Sequence, residues 1–141
     1  MGIGSTGYNI LNVLHILCAV VAFGPLFLYP SLQRAGATAQ IAKLHLYMVI
    51  PAMVLLWVFG MGLVGMSDEA IQMSDVWISG GLGAWLVALG VSVFLVRPAL
   101  TEVGDSAKSK LAAGTGVIHL MLVIGLYFMV FKPCSRSPTS T

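Results

Sequence analysis

The sequence predicts an all-α protein, a four-helix transmembrane bundle, and three observations predict it. Hydrophobic residues make up 58% of the 141 and charged residues 9%, with a mean hydropathy of +0.96. So few charges cannot form the polar shell that a water-soluble domain of this length needs, and lipid must cover the surface instead. The apolar residues fall into four runs, each about the 20 residues that a helix needs to cross a hydrocarbon core of about 30 Å. These runs are continuously apolar instead of alternating, so each must satisfy its own backbone as a helix.

The first run, 8–29, follows no Lys or Arg and is longer than the apolar core of a secretory signal, so it reads as a spanning helix of the mature chain. Met1-Gly2 with Thr6 fits a loose myristoylation pattern, which adds little anchorage to a chain that already spans the bilayer. Pro25 in this run and Pro51 in the second, 44–66, lack the N–H for an intrahelical bond. Each is expected to kink its helix and free a carbonyl, that of Val21 or Tyr47.

The third run, 76–96, carries Gly80, Ala84, Ala88 and Ser92 at a spacing of four. That stripe of small residues predicts a helix-packing face, turned to another helix of the bundle or to a second copy. The fourth run is 111–131. Pro30, Ser67-Asp68, Arg97-Pro98 and Lys132-Pro133 punctuate the four ends, "TEVGDSAKSK" reads as a polar loop, and 133–141 reads as a flexible C-terminal tail after a single domain, 1–132.

Lys and Arg in short loops predict the orientation. Arg34, Lys43, Arg97, Lys108 and Lys110 fall on one side; Lys132 and Arg136 fall on the other with Asp68, Glu69 and Asp75. Both termini are therefore expected outside.

Two apparent motifs dissolve on inspection. Gly60, Gly62 and Gly65 in "GMGLVG" satisfy a dinucleotide-binding pattern, but that pattern works only between a strand and a helix start, and here it lies inside an apolar helix. Cys18 falls within the first run and Cys134 beyond the last, too far apart for a disulfide, and no CxxC or CxxCH occurs. Cys134 is read as a free thiol.

Ionisable groups within a span are functional candidates, and here they are histidines. His15 shares a helical face with Tyr8, Asn12, Ala19 and Ala22; His119 lies one turn beyond Thr115. Asn12 and Thr115 are therefore expected as polar residues of the bundle interior and as hydrogen-bond partners of the histidines. His45, beside Lys43, is expected at the membrane interface. His15 and His119 are the first candidates to bind a cofactor, heme b, with His45 behind them. A bis-histidine site needs both imidazoles at one depth, and helix rise offsets His15 from His119 by roughly 8 Å. Single-histidine ligation stays open, as do neutral histidines hydrogen-bonded between helices. Eight methionines raise copper handling, but they are scattered without an MxxM series, which favours packing.

The segments "LHILCAVVAFGPLF", "YMVIPAMVLLWVFGMGLV", "VWISGGLGAW" and "YFMVFKP" resemble a bacterial family of predicted integral membrane proteins of unknown function. More distantly they resemble the membrane domain of copper-resistance D proteins and the four-helix heme-dependent protoporphyrinogen oxidases. The resemblance implies a multi-pass protein of the bacterial cytoplasmic membrane and makes His15 the counterpart of a first-helix histidine. No lysine within a span and no second histidine or methionine at the depth of His15 matches the distant relatives.

The function expected first is a non-catalytic accessory or scaffold subunit, contacting lipid and either other membrane subunits or itself, with no nucleic-acid partner, no catalytic residue and no metal site. The alternative is a heme- or metal-binding membrane redox protein using a bundle histidine; a copper or small-solute transporter comes third.

Overall fold

The computed structural model describes residues 2–68, 70–102 and 104–133. Glu69, Val103 and 134–141, and with them Cys134 and nearly all of the expected tail, lie outside the described residues. Within them there is no strand. Four helices are long and apolar enough to cross a membrane: α1 (Thr6–Arg34), α2 (Thr38–Gly65), α3 (Val76–Ala99) and α4 (Asp105–Phe131). Between their polar ends the exposed side chains are mostly apolar, from Ile10 and Leu17 on α1 to Phe94 on α3 and Val123 on α4. This is the surface of a multi-pass membrane protein.

The helices outrun the hydrophobic runs, for local reasons. Ser5 caps α1 by accepting the Tyr8 N–H at 3.3 Å. Pro30, expected to follow the first helix, sits inside it. The segment Gly24–Leu28 tightens to 3-10 geometry, and Pro25 and Pro30 each occupy a first-turn position where the missing N–H has no carbonyl to serve. The true stop is Gly36 at φ +72, where Gly36 N–H reaches Gln33 O at 3.1 Å and Ala37 N–H reaches Leu32 O at 2.9 Å, a Schellman closure. At the start of α4, "DSAKSK" is helix and not loop: Asp105 occupies the first turn and pairs with Lys108 at 3.2 Å.

Pro51 and Pro98 are absorbed by one device used twice. A five-residue π-turn stands upstream of each, His45–Val49 on α2 and Ser92–Val96 on α3. Ile50 N–H then bonds His45 O and Arg97 N–H bonds Ser92 O, five residues back. The extra residue shifts the register so that each proline opens the next helical segment, and Arg97-Pro98 therefore continues α3 to Ala99.

Helix α1 packs most extensively on α2, and α3 on α4, giving two antiparallel hairpins. We call the end with connections 35–37 and 100–104 the basic end, after Arg34, Lys43, Arg97, Lys108 and Lys110, and the opposite one the terminal end. Toward the basic end the hairpins share a dry core that includes Leu26 and Tyr29 of α1, Val49 and Met53 of α2, Val96 of α3 and Ile118 of α4. The small stripe of α3 lies within this packing. Ala88 and Ser92 are buried, and a Cβ on Gly80 would come within 2.6 Å of the Phe128 ring on α4.

Candidate functional site

His15 stands on α1 against α2 because α2 has no side chain in its way. A Cβ on Gly60 would fall 3.0 Å from His15 Cε1, and one on Gly62 would fall 2.8 Å from Leu11 Cδ2. Two glycines of the discarded "GMGLVG" pattern thus open the α1–α2 seam. The imidazole uses the space to donate its Nδ1–H to the Leu56 carbonyl at 2.9 Å. A carbonyl can only accept, so the tautomer is fixed: Nδ1 carries the proton and Nε2 the lone pair. The expected partners Asn12 and Thr115 make no bond to His15.

The ring lines a cavity of about 800 Å³ that occupies the terminal half of the bundle between the two hairpins. Its walls are apolar and aromatic, with Trp57, Trp77 and Trp85 among them, and Tyr8, Asn12 and Lys132 add polar atoms. Ile16, Val20, Leu126 and Val130 line it and are each more than half exposed, so it opens between α1 and α4. On the opposite side the hairpins are tied together. Trp85 Nε1–H donates to Met53 O at 3.0 Å, and its ring stacks on Trp57 at 6.1 Å. Asn12 is exposed along this wall, so it is a lining residue and not part of a closed interior.

His119 is not among the lining residues, although Phe27, which marks the far end of the cavity on α1, is. It stacks on Phe27 with ring centroids 4.1 Å apart, and Phe27 lies twelve residues from His15 along α1. At helical rise that is about 18 Å, more than twice the offset expected from sequence, so no single iron reaches both imidazoles. Buried Nε2 of His119 and buried Oγ1 of Thr115, one turn away, have no hydrogen-bond partner among the described residues.

His45 corrects the sequence most. Expected at the interface, it is 1% exposed and joins three helices. Its Nε2–H is shared by Ser92 O at 3.1 Å and Ser92 Oγ at 3.0 Å, and its Nδ1 accepts the Tyr29 O–H at 3.0 Å. Tyr29 and Ser92 are equally buried, and His45 and Ser92 each open a π-turn. With both nitrogens engaged, this histidine has no lone pair left for a cofactor.

The chain matches no family model, no curated protein and no solved structure. Its chemistry must come from the site itself. There, the residues that sequence reasoning passed over are Leu56, Gly60, the three tryptophans and Lys132. The glycines were visible as a pattern, but which side chain they made room for depends on how α1 and α2 pair.

Proposed function

We propose that the chain is a membrane-embedded binding protein for a lipophilic cofactor, with heme b held by His15 as the leading case. The carrying observation is the His15–Leu56 bond, which leaves the Nε2 lone pair on a ring that borders a roomy apolar cavity. Ligating histidines characteristically donate their other N–H to a carbonyl in this way, which fixes the ring and raises its basicity. The residues present would suit a porphyrin: an imidazole nitrogen with a lone pair, aromatic and aliphatic walls, and one cation for an acidic substituent. Bound there, heme would supply one-electron redox chemistry. The chain's own part is to orient the imidazole, exclude water with its apolar walls and leave a side open to lipid.

A second reading has one observation behind it. Met61, Met73, Met121 and Met129 line the same cavity as His15, a soft thioether and imidazole set suited to Cu(I). Four of the eight methionines scattered in sequence thus line one cavity. The accessory or scaffold role expected first rested on short loops, the small-residue stripe and the lack of a chemical constellation; His15 beside the cavity is what supports a binding role ahead of it. We place the basic end inside from the bias of Lys and Arg, and the protein in a bacterial cytoplasmic membrane from the family resemblance alone.

The test is an absorption spectrum of protein purified after heme-replete expression, beside an anaerobic Cu(I) competition assay. A Soret band that His15→Ala abolishes supports heme. Cu(I) uptake lost in Met61→Leu/Met129→Leu supports copper. Absence of both, with recovery from native membranes only in a stoichiometric larger complex, returns the scaffold role to first place.

A further inference from the structure

Among the described residues, Lys132 is the only charged one lining the cavity. It sits where α4 ends: its backbone turns left-handed at φ +44 and ψ +54, and its N–H closes onto Phe128 O at 3.1 Å. The ammonium lies 5.0 Å from the centroid of the Trp77 ring, and Trp77 is itself a buried wall residue. A cation laid on an aromatic face is held in place while its N–H donors stay available. Among the described residues no carboxylate lines the cavity, and the two ion pairs use Lys108 and Lys110 instead.

Register sets its depth. Phe27 of α1 stacks on His119 of α4, and the two helices run antiparallel. Toward the terminal end, His15 lies twelve residues from Phe27 and Lys132 lies thirteen from His119, about 18 and about 20 Å at helical rise. Lys132 therefore stands within about a turn of the level of His15. One ligand body can reach both groups.

We propose that the cavity selects acidic amphiphiles, with Lys132 as the group that holds the ligand's carboxylate. This rests on the reading that the cavity binds a lipophilic ligand, and it does not require iron. An apolar body fills the space between the hairpins, and a single carboxylate meets an ammonium already poised on Trp77. Lys132 is exposed at the end of α4, so the preference comes from one charge-assisted pairing added at the rim of a wall that carries no other charge among the described residues. The carboxylate could belong to a porphyrin or to a fatty acid, and the two are separable by experiment.

The experiment uses the full chain in nanodiscs of phosphatidylcholine and two matched pairs of probes: metal-free protoporphyrin IX against its dimethyl ester, and oleic acid against methyl oleate. The expected result is that the wild type binds at least one acid about tenfold more tightly than its ester. Lys132→Gln should erase that preference by weakening the acid alone, and Lys132→Arg should keep it. Preference within the porphyrin pair names a cofactor, and preference within the oleate pair names a lipid. Equal binding of acid and ester by the wild type in both pairs overturns the proposal. So does a Lys132→Gln loss that falls equally on acid and ester, which is how a mere interfacial anchor would behave. Neither probe carries iron, so the acid-to-ester ratio is read without any ligation by His15. Failure of heme ligation and failure of acid selection therefore appear in different measurements.

Discussion

His45 and His15 occupy opposite halves of one bundle, and their surroundings differ in kind. Around His45 every nitrogen is engaged, Tyr29 and Ser92 close on it from two other helices, and the aliphatic core packs against them. Around His15 one nitrogen is engaged with a backbone carbonyl, and beyond the ring lies a cavity of about 800 Å³. Imidazole in lipid is costly to leave unsatisfied; the bonds of His45 tie three helices together, whereas His15 keeps a lone pair that a further partner could use. The solid half holds two hairpins in register so that the hollow half can stand open.

That contrast predicts unequal costs for similar cuts. His45→Ala strips Tyr29 and Ser92 of their shared partner inside a packed core and should destabilise by about 3 kcal/mol, the sum of a cavity and buried unpaired polar atoms. Leu126→Ala, on the wall of the hollow half, should cost less than about 1 kcal/mol because that side chain is already more than half exposed. Unfolding midpoints in mixed micelles measure both. Equal losses would mean that the two halves are not packed differently.

Glycines sharpen the comparison at the next size of effect. A Cβ on Gly114 would meet Val96 Cγ2 at 2.7 Å and Leu95 Cδ2 at 3.4 Å inside the solid half. Gly114→Ala should therefore cost about 1–3 kcal/mol by overpacking. At Gly60 the added methyl meets only the His15 ring, which has the cavity to move into. Gly60→Ala should cost under about 1 kcal/mol in stability, yet break the Leu56 bond and remove any His15-dependent absorption. Loss of fold together with absorption would make Gly60 a structural glycine only.

How much of this was legible in sequence follows from what each feature depends on. Four helices were legible because apolar runs of spanning length leave the backbone no other solution. Their ends were not, since punctuation by Pro30 and Arg97-Pro98 looked like stops until 3-10 and π-turns took up the mismatch. That boundary error misplaced His45. Starting α2 at Thr38 instead of residue 44 sinks it by about 9 Å, from interface to core. A usable signal was present: His45 precedes Pro51, and Ser92 precedes Pro98, by the same six residues. His15 was singled out from its polar face, but its partner is a backbone carbonyl, which no residue type announces.

The smallest expected effect differs in sign. Thr115 is 5% exposed, and its hydroxyl has no partner among the described residues, whereas Ser92 is wholly buried and its hydroxyl accepts from His45. Both are small hydroxyl residues facing the solid half, so burial alone would predict similar penalties for removing either hydroxyl. Hydrogen bonding predicts otherwise. Ser92→Ala removes an acceptor from a satisfied network and should cost about 1 kcal/mol, the usual worth of such a bond in a membrane bundle. Thr115→Val replaces an unbonded hydroxyl with a methyl of nearly the same shape, and should be neutral or stabilise by up to about 1 kcal/mol. If Thr115→Val instead costs as much as Ser92→Ala, the hydroxyl has a partner such as an ordered water, and the solid half is less dry than its side-chain contacts make it.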